Sequence, residues 1–166
     1  MFKTRDFYLK SVYNINGKKI GLVDDIYIDF YLAKVKGFKI SNKSLFSKNN
    51  YIAMENIIEI GEDIIVNDTE KGIGLSFKEI KDMEIIDTSN NLKGIVEDLI
   101  IDINDYSIKG IIVTSGIIDK MIKGKEVILL NKCILGEKYI LYIGNMSISF
   151  KSMPHNMEAK NAVKKA

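Results

Sequence analysis

The chain has 166 residues, of which 46% are hydrophobic, and its 24 basic and 22 acidic residues leave a formal net charge of +2. That apolar content is enough to bury a core and excludes wholesale disorder. Charges of both signs are interspersed, which argues against a concentrated nucleic-acid-binding surface. The single cysteine excludes an internal disulfide, the N-terminus is charged, and no apolar run could span a membrane. These features predict a cytoplasmic protein without a transmembrane segment.

The first predicted elements are a tight turn and two strands joined by a hairpin. Asn and Gly at residues 14–17 favour a tight turn. Residues 22–30 alternate, and their even-numbered members (Leu22, Asp24, Ile26, Ile28 and Phe30) are mainly apolar, which predicts one buried strand face. A turn at residues 30–34 leads to a second strand at 35–40. Shorter strands are predicted at 51–54, 57–60 and 64–66.

The same pattern returns in the second part of the chain, which indicates an internal repeat. Residues 21–41 align without a gap on residues 94–114, and seven of the 21 positions are identical. The buried face then comprises Ile95, Leu99, Ile101 and Ile103, and residues 104–105 form the hairpin turn. We therefore expect an all-β fold of two tandem small barrels with five to six short strands each. Their predicted bounds are 1–68 and 75–150, called here the first and second repeats, followed by a flexible or partly helical tail at 151–166.

Both repeats resemble the PRC-barrel domain family. The family pattern matches Gly21, Val23, Asp25, Ile26, Ile28, Asp29 and Gly37 in the first repeat, and Gly94, Val96, Asp98, Leu99, Ile101, Asp102 and Gly110 in the second. Residues 52–63 resemble a later stretch of the family, from which residues 131–138 depart. The family includes a domain of the photosynthetic reaction-centre H subunit and the end of a ribosome-maturation factor. The resemblance implies a tandem of barrels that bind or assemble rather than catalyse.

The residue types predict no catalytic, cofactor-binding or metal site. The single histidine, His155, lies in the tail, and Cys133 is expected to be a buried, inert thiol. Asp25 and Asp29, with Asp98 and Asp102 in the second repeat, are expected to bond turn backbone. An acid–base or cation-binding pair stays open as an alternative, because residues four apart on a strand share a face.

Apolar residues in two equivalent loops suggest an interaction surface instead. These residues are Leu45 and Phe46 in the first repeat, and Ile117, Ile118 and Met121 in the second. If exposed, they mark a contact with another protein or with a second copy of the chain, as in a homodimer. The predicted function is a non-catalytic protein-binding or assembly module. The alternative is an RNA- or ribosome-associated factor, although the nucleic-acid signal is weak.

Overall fold

The computed structural model describes residues 1–41, 50–72, 74–114 and 125–145, and the backbone of a strand at 148–150. Strands dominate it, as the alternation predicted. In chain order they are β1 (Phe2–Lys3), β2 (Ser11–Asn14), β3 (Lys19–Asp29), β4 (Lys34–Ser41), β5 (Tyr51–Ala53), β6 (Ile57–Ile60), β7 (Ile64–Val66), β8 (Leu75–Ser76), β9 (Glu84–Asp87), β10 (Leu92–Ile101), β11 (Ile108–Thr114), β12 (Lys125–Ile128), β13 (Cys133–Leu135), β14 (Tyr139–Tyr142) and β15 (Ile148–Phe150). Helix α1 (Phe77–Ile80) forms a single turn, and 3-10 turns lie at Thr4–Asp6, Met54–Asn56 and Leu130–Lys132.

The strands form two sheets, which agree with two tandem small barrels. One sheet has seven strands in the order β5-β4-β3-β2-β7-β6, with β8 paired to β3. The other has eight, in the order β13-β14-β9-β10-β11-β12-β15, with β1 paired to β10. Both counts exceed the expected five to six, because each sheet gains a two-residue strand and β15 extends the second. The predicted tight turn at residues 14–17 and the two predicted hairpins are confirmed, with Gly17 at positive φ.

The two repeats exchange their first strands. Strand β1 pairs with β10 of the second repeat, so that Phe2 lies opposite Ile101. Strand β8 pairs with β3 of the first repeat, so that Leu75 lies opposite Ile28. Leu75 is the repeat equivalent of Phe2, and Ile101 is that of Ile28. The exchange is therefore reciprocal, and each sheet contains a strand from the other repeat.

A local two-fold relation joins the hairpins of the two repeats. Lys34 and its equivalent Ser107 form an isolated antiparallel bridge. On either side, Val35 N–H donates to the Tyr106 carbonyl at 3.0 Å, and Ile108 N–H donates to the Ala33 carbonyl at 2.7 Å. These two bonds are the same contact made in both directions, so the repeats contact each other as a pseudo-dimer within one chain.

The apolar residues of the two repeats share one core. The cluster includes Phe7, Phe38 and Ile64 from the first repeat and Leu99 and Ile140 from the second. Phe7 stacks near Phe38 with 5.1 Å between ring centroids. Shared burial of this kind couples the repeats, since separating them would return apolar surface to water.

The alternation predicted for β3 is wrong in its first half. Val23 and Asp25 are buried, whereas Leu22 and Asp24 are only partly so, and burial moves to even-numbered positions from Ile26 onward. A β-bulge between Val23 and Asp25 inserts one extra residue and reverses the facing of everything before it. Strand β10 has the matching bulge between Val96 and Asp98. Ile95 is consequently not fully buried, and Ile103 is 48% exposed beyond the strand end.

Candidate interaction face

A row of apolar side chains crosses the second sheet on its outer side. Its members are cross-strand partners: Ile134 lies opposite Leu141, Leu141 opposite Ile86, and Ile86 opposite Leu92. Ile134 is 46% exposed and Leu92 is 62% exposed, while the two central residues are half-buried. The row forms because β14 alternates outward Tyr139 and Leu141 with buried Ile140 and Tyr142. We call these four residues, with Tyr139, the outer apolar face.

The equivalent row of the first sheet ends in charges. There Glu59 lies opposite Ile65, Ile65 opposite Tyr13, and Tyr13 opposite Lys19. The Lys19 ammonium also donates to Ser11 Oγ at 2.8 Å. Charged ends keep this row solvated, which is ordinary for a sheet face in water. The second sheet has Ile and Leu at the matching ends and is therefore the unusual one of the two.

Residues of β14 help to line two open grooves, and the first of these borders the outer apolar face. One, of ≈ 410 Å³, is lined by Ile134, Tyr139, Leu141 and the 136–138 turn. The other, of ≈ 300 Å³, is lined by Leu129, Ile143 and neighbouring residues. Leu129 is 43% exposed and Ile143 is 47% exposed. Exposed apolar residues that are contiguous, rather than scattered singly, mark interaction sites on proteins.

One carboxylate lies within the outer apolar face. Glu84 is exposed and sits between Tyr139 on β14 and Ile95 on β10, which are its cross-strand partners. Within the described part of the chain, its carboxylate makes no hydrogen bond or ion pair. A binding partner that covers this face must therefore leave Glu84 in water or supply a donor to it.

The aspartates that recur at equivalent positions of the two repeats bond backbone, as expected. Asp98 accepts from Thr4 N–H at 2.9 Å, from Thr4 Oγ1 at 2.5 Å and from Leu99 N–H at 2.8 Å. Asp25, its equivalent, accepts from Ile26 N–H at 2.8 Å and from Lys78 N–H at 3.3 Å. Both carboxylates are buried, at 8% and 1% exposure. Each one therefore anchors the exchanged first turn of the other repeat.

In the structure, backbone amides occupy both carboxylates of the pair that the alternative would use in β3. Asp25 is buried at the repeat junction and accepts from backbone there, whereas Asp29 is only partly buried and accepts from Leu32 N–H at 2.8 Å to open the hairpin. In the second repeat Asp102 accepts from Asn104 N–H at 2.9 Å. No group of three or more metal-ligating side chains occurs in the described ranges.

Burial perturbs two ionisable groups near these sites. The pKa of Tyr8 is raised above its usual range by burial first, and then by the charges of Asp25 and Asp98. Tyr8 Oη lies 3.4 Å from Asp25 Oδ1. Burial raises the pKa of the Cys133 thiol to about 12, and its Sγ lies 3.4 Å from the Leu129 carbonyl. The expected burial of Cys133 is thus confirmed, and a neutral thiol is a poor nucleophile.

The loop residues proposed from sequence lie outside the described residues. These are Leu45, Phe46, Ile117, Ile118 and Met121. His155 also lies outside the described residues. Sequence reasoning missed the outer apolar face, because its members come from four strands. The alignment of the two repeats gives the one sequence signal for this face, because charged Glu59 and Lys19 of the first repeat align with apolar Ile134 and Leu92 of the second.

Comparison with known proteins identifies one family. The PRC-barrel domain matches residues 1–73 of the chain. No curated protein matches the chain significantly. Within the ranges that the structure describes, no helix is both long and apolar enough to cross a membrane.

Proposed function

We propose that the chain is a non-catalytic protein-binding or assembly module, on the premise that its residues 1–73 match the PRC-barrel domain family. PRC-barrel domains are generally protein-interaction modules, and the family is not known for enzymes. In this proposal the repeats 1–68 and 75–150 form its two units, and the outer apolar face of the second sheet contacts the partner.

The observation that carries the proposal is the difference between the two sheets. The repeats share strand register, yet the row that ends in Glu59 and Lys19 on one sheet ends in Ile134 and Leu92 on the other. Fully burying an exposed Ile or Leu contributes about 1.5–3 kcal/mol. The roughly half-exposed ends of this row could together contribute about 2–3 kcal/mol on contact with a partner. That is a useful share of a moderate binding energy.

Affinity capture from native lysate with mass spectrometry tests the proposal. The Ile134→Glu variant introduces the residue type that the first repeat carries at the matching position, so folding should persist. The matched control is Ile58→Glu, because Ile58 is also an exposed strand isoleucine, at 54% against 46%. We expect Ile134→Glu to lose a protein that wild type and Ile58→Glu both retain. Equal recovery by all three would remove the outer apolar face from the proposal.

The paired loops are a second proposed contact surface. A variant with Phe46→Ser and Ile118→Ser tests them in the same capture experiment. Loss of a partner with this variant, but not with Ile134→Glu, would move the contact to the loops.

An RNA- or ribosome-associated role is the alternative function. It follows from the resemblance to the ribosome-maturation member of the family and from a sequence pI of ≈ 8.4. Salt-sensitive co-sedimentation with ribosomal particles would favour it, because phosphate contacts weaken as salt rises. Sedimentation wholly apart from the particles would exclude it.

A further inference from the structure

We propose that the occupant of the outer apolar face is a second copy of this chain, packed face to face about a two-fold axis parallel to the strands. The inference rests on the proposed function and deepens it by naming the partner. Face-to-face packing of two sheets is a common way to bury one apolar side of each. A two-fold contact requires a surface that is complementary to itself.

The apolar row meets that requirement. An axis between Leu141 and Ile86 places Ile134 of one molecule opposite Leu92 of the other, and Leu141 opposite Ile86. Every apolar member of the row then faces an apolar member. The exposed ends, at 46% and 62%, lie where contact would remove most surface from water.

The polar groups are also compatible with this arrangement. Glu84 and Tyr139 are cross-strand neighbours in the row beside the apolar one. The same axis places Glu84 opposite Tyr139 of the second molecule, so that the phenol can donate to the carboxylate. No two carboxylates face each other, and the otherwise unpaired Glu84 gains a donor in both molecules. The flanking turn carries charges of both signs, Glu137 and Lys138, which suits a contact between identical molecules.

The size of the face sets the expected affinity. Four strands spaced about 4.8 Å apart, with one or two outward positions along each, cover about 250 Å² per molecule. A standard interface buries about 800 Å² per partner, so this contact falls in the weak, transient class. We therefore expect monomers at about 1 μM and substantial dimer at a few hundred μM.

Sedimentation equilibrium of the full chain tests the proposal over that concentration range. Ile134→Glu alone and Leu92→Lys alone should each weaken dimerisation at least about tenfold, because each introduces a charge opposite an apolar side chain. The two combined should recover part of the loss, because the introduced carboxylate and ammonium face each other across the axis. Ile58→Glu should leave the dimer unchanged, and circular dichroism should confirm that all variants are folded.

Two results would overturn the inference. One is wild-type protein that sediments as a monomer at every concentration. The other is a double variant that dimerises no better than the weaker single one, which contradicts the register. Either result leaves the proposed function separately testable by the capture experiment. If Ile134→Glu fails to capture a protein other than this chain that the wild type captures, the outer apolar face would still contact a partner.

Discussion

Replacing Asp98 by Ala tests whether the exchanged N-terminal segment holds the two repeats together. The carboxylate is 8% exposed and accepts three hydrogen bonds, two of them from Thr4 of the other repeat. Removing a buried acceptor leaves its donors unsatisfied, at about 1–3 kcal/mol per group. Allowing for partial rescue by water, we expect the variant to lose about 3–5 kcal/mol of unfolding free energy. For a domain of ordinary stability that is a large fraction of the total.

Urea denaturation measures this loss, and the equivalent aspartate provides the matched control. Asp25 reaches the other repeat through longer contacts, 3.3 and 3.4 Å to Lys78 N–H. The position equivalent to Thr4 is Phe77, so the first turn of the second repeat offers Asp25 no side-chain hydroxyl, and the one phenol that donates to Asp25, Tyr8 Oη, does so at the long distance of 3.4 Å. Asp25→Ala should therefore cost less than Asp98→Ala, although both carboxylates are buried.

A double-mutant cycle isolates the contact between the repeats. Thr4→Val keeps the side-chain shape and removes only the hydroxyl, so alone it should cost about 1–2 kcal/mol. Combined with Asp98→Ala, it should show a coupling energy of at least about 0.5 kcal/mol, because the Thr4 hydroxyl donates one of the two bonds that Asp98 accepts from Thr4. A loss below about 1 kcal/mol for Asp98→Ala, or additive behaviour in the cycle, would refute the anchoring role.

Three further predictions follow from local geometry. Gly94→Ala should destabilise the protein far more than Gly17→Ala in the same urea assay. An added Cβ at Gly94 would lie 2.5 Å from the Thr114 carbonyl oxygen, whereas an added Cβ at Gly17 would have no heavy atom within 4 Å. Similar losses of stability in the two variants would contradict this prediction. The folded pKa of Tyr8 is raised above its unfolded value of about 10, so the free energy of unfolding should be unaffected below pH 10 and should fall as the pH rises above it. The Tyr8→Phe variant should lose less stability over the same pH range. Identical pH profiles of the urea midpoint for the two proteins would count against this prediction. Cys133 should resist thiol reagents in the native protein and react fully in urea, since burial raises its thiol pKa to about 12; rapid native labelling would exclude the buried site.

Local sequence signals predicted the elements that depend on neighbours in the chain. The tight turns rest on Asn and Gly positions that tolerate positive φ, as at Gly17. The hairpins and the repeat follow from short-range alternation and turn chemistry. The backbone-bonding role of Asp29 and Asp102 follows in the same way, since both bond amides two or three residues away. The loop contact surface stays a prediction, because its residues lie outside the described ranges.

The β-bulges limited what alternation could predict. A pattern of period two assigns faces correctly only while the register is unbroken. The extra residue near Asp24 reversed the first half of β3, so Leu22 was wrongly placed in the core. Nothing in the alternating residues marks the bulge. It is set by the pairing with β4.

By itself, then, the sequence determined the all-β class, the duplication and the turns, because these depend on residues close together along the chain. Only the tertiary structure decided the exchange of β1 and β8, the anchoring of Thr4 by Asp98, and the alignment of Ile134, Leu141, Ile86 and Leu92 into one row. A two-residue strand carries too few side chains to specify its partner. Its sheet is chosen by contacts between residues distant in sequence, which only the folded chain brings together.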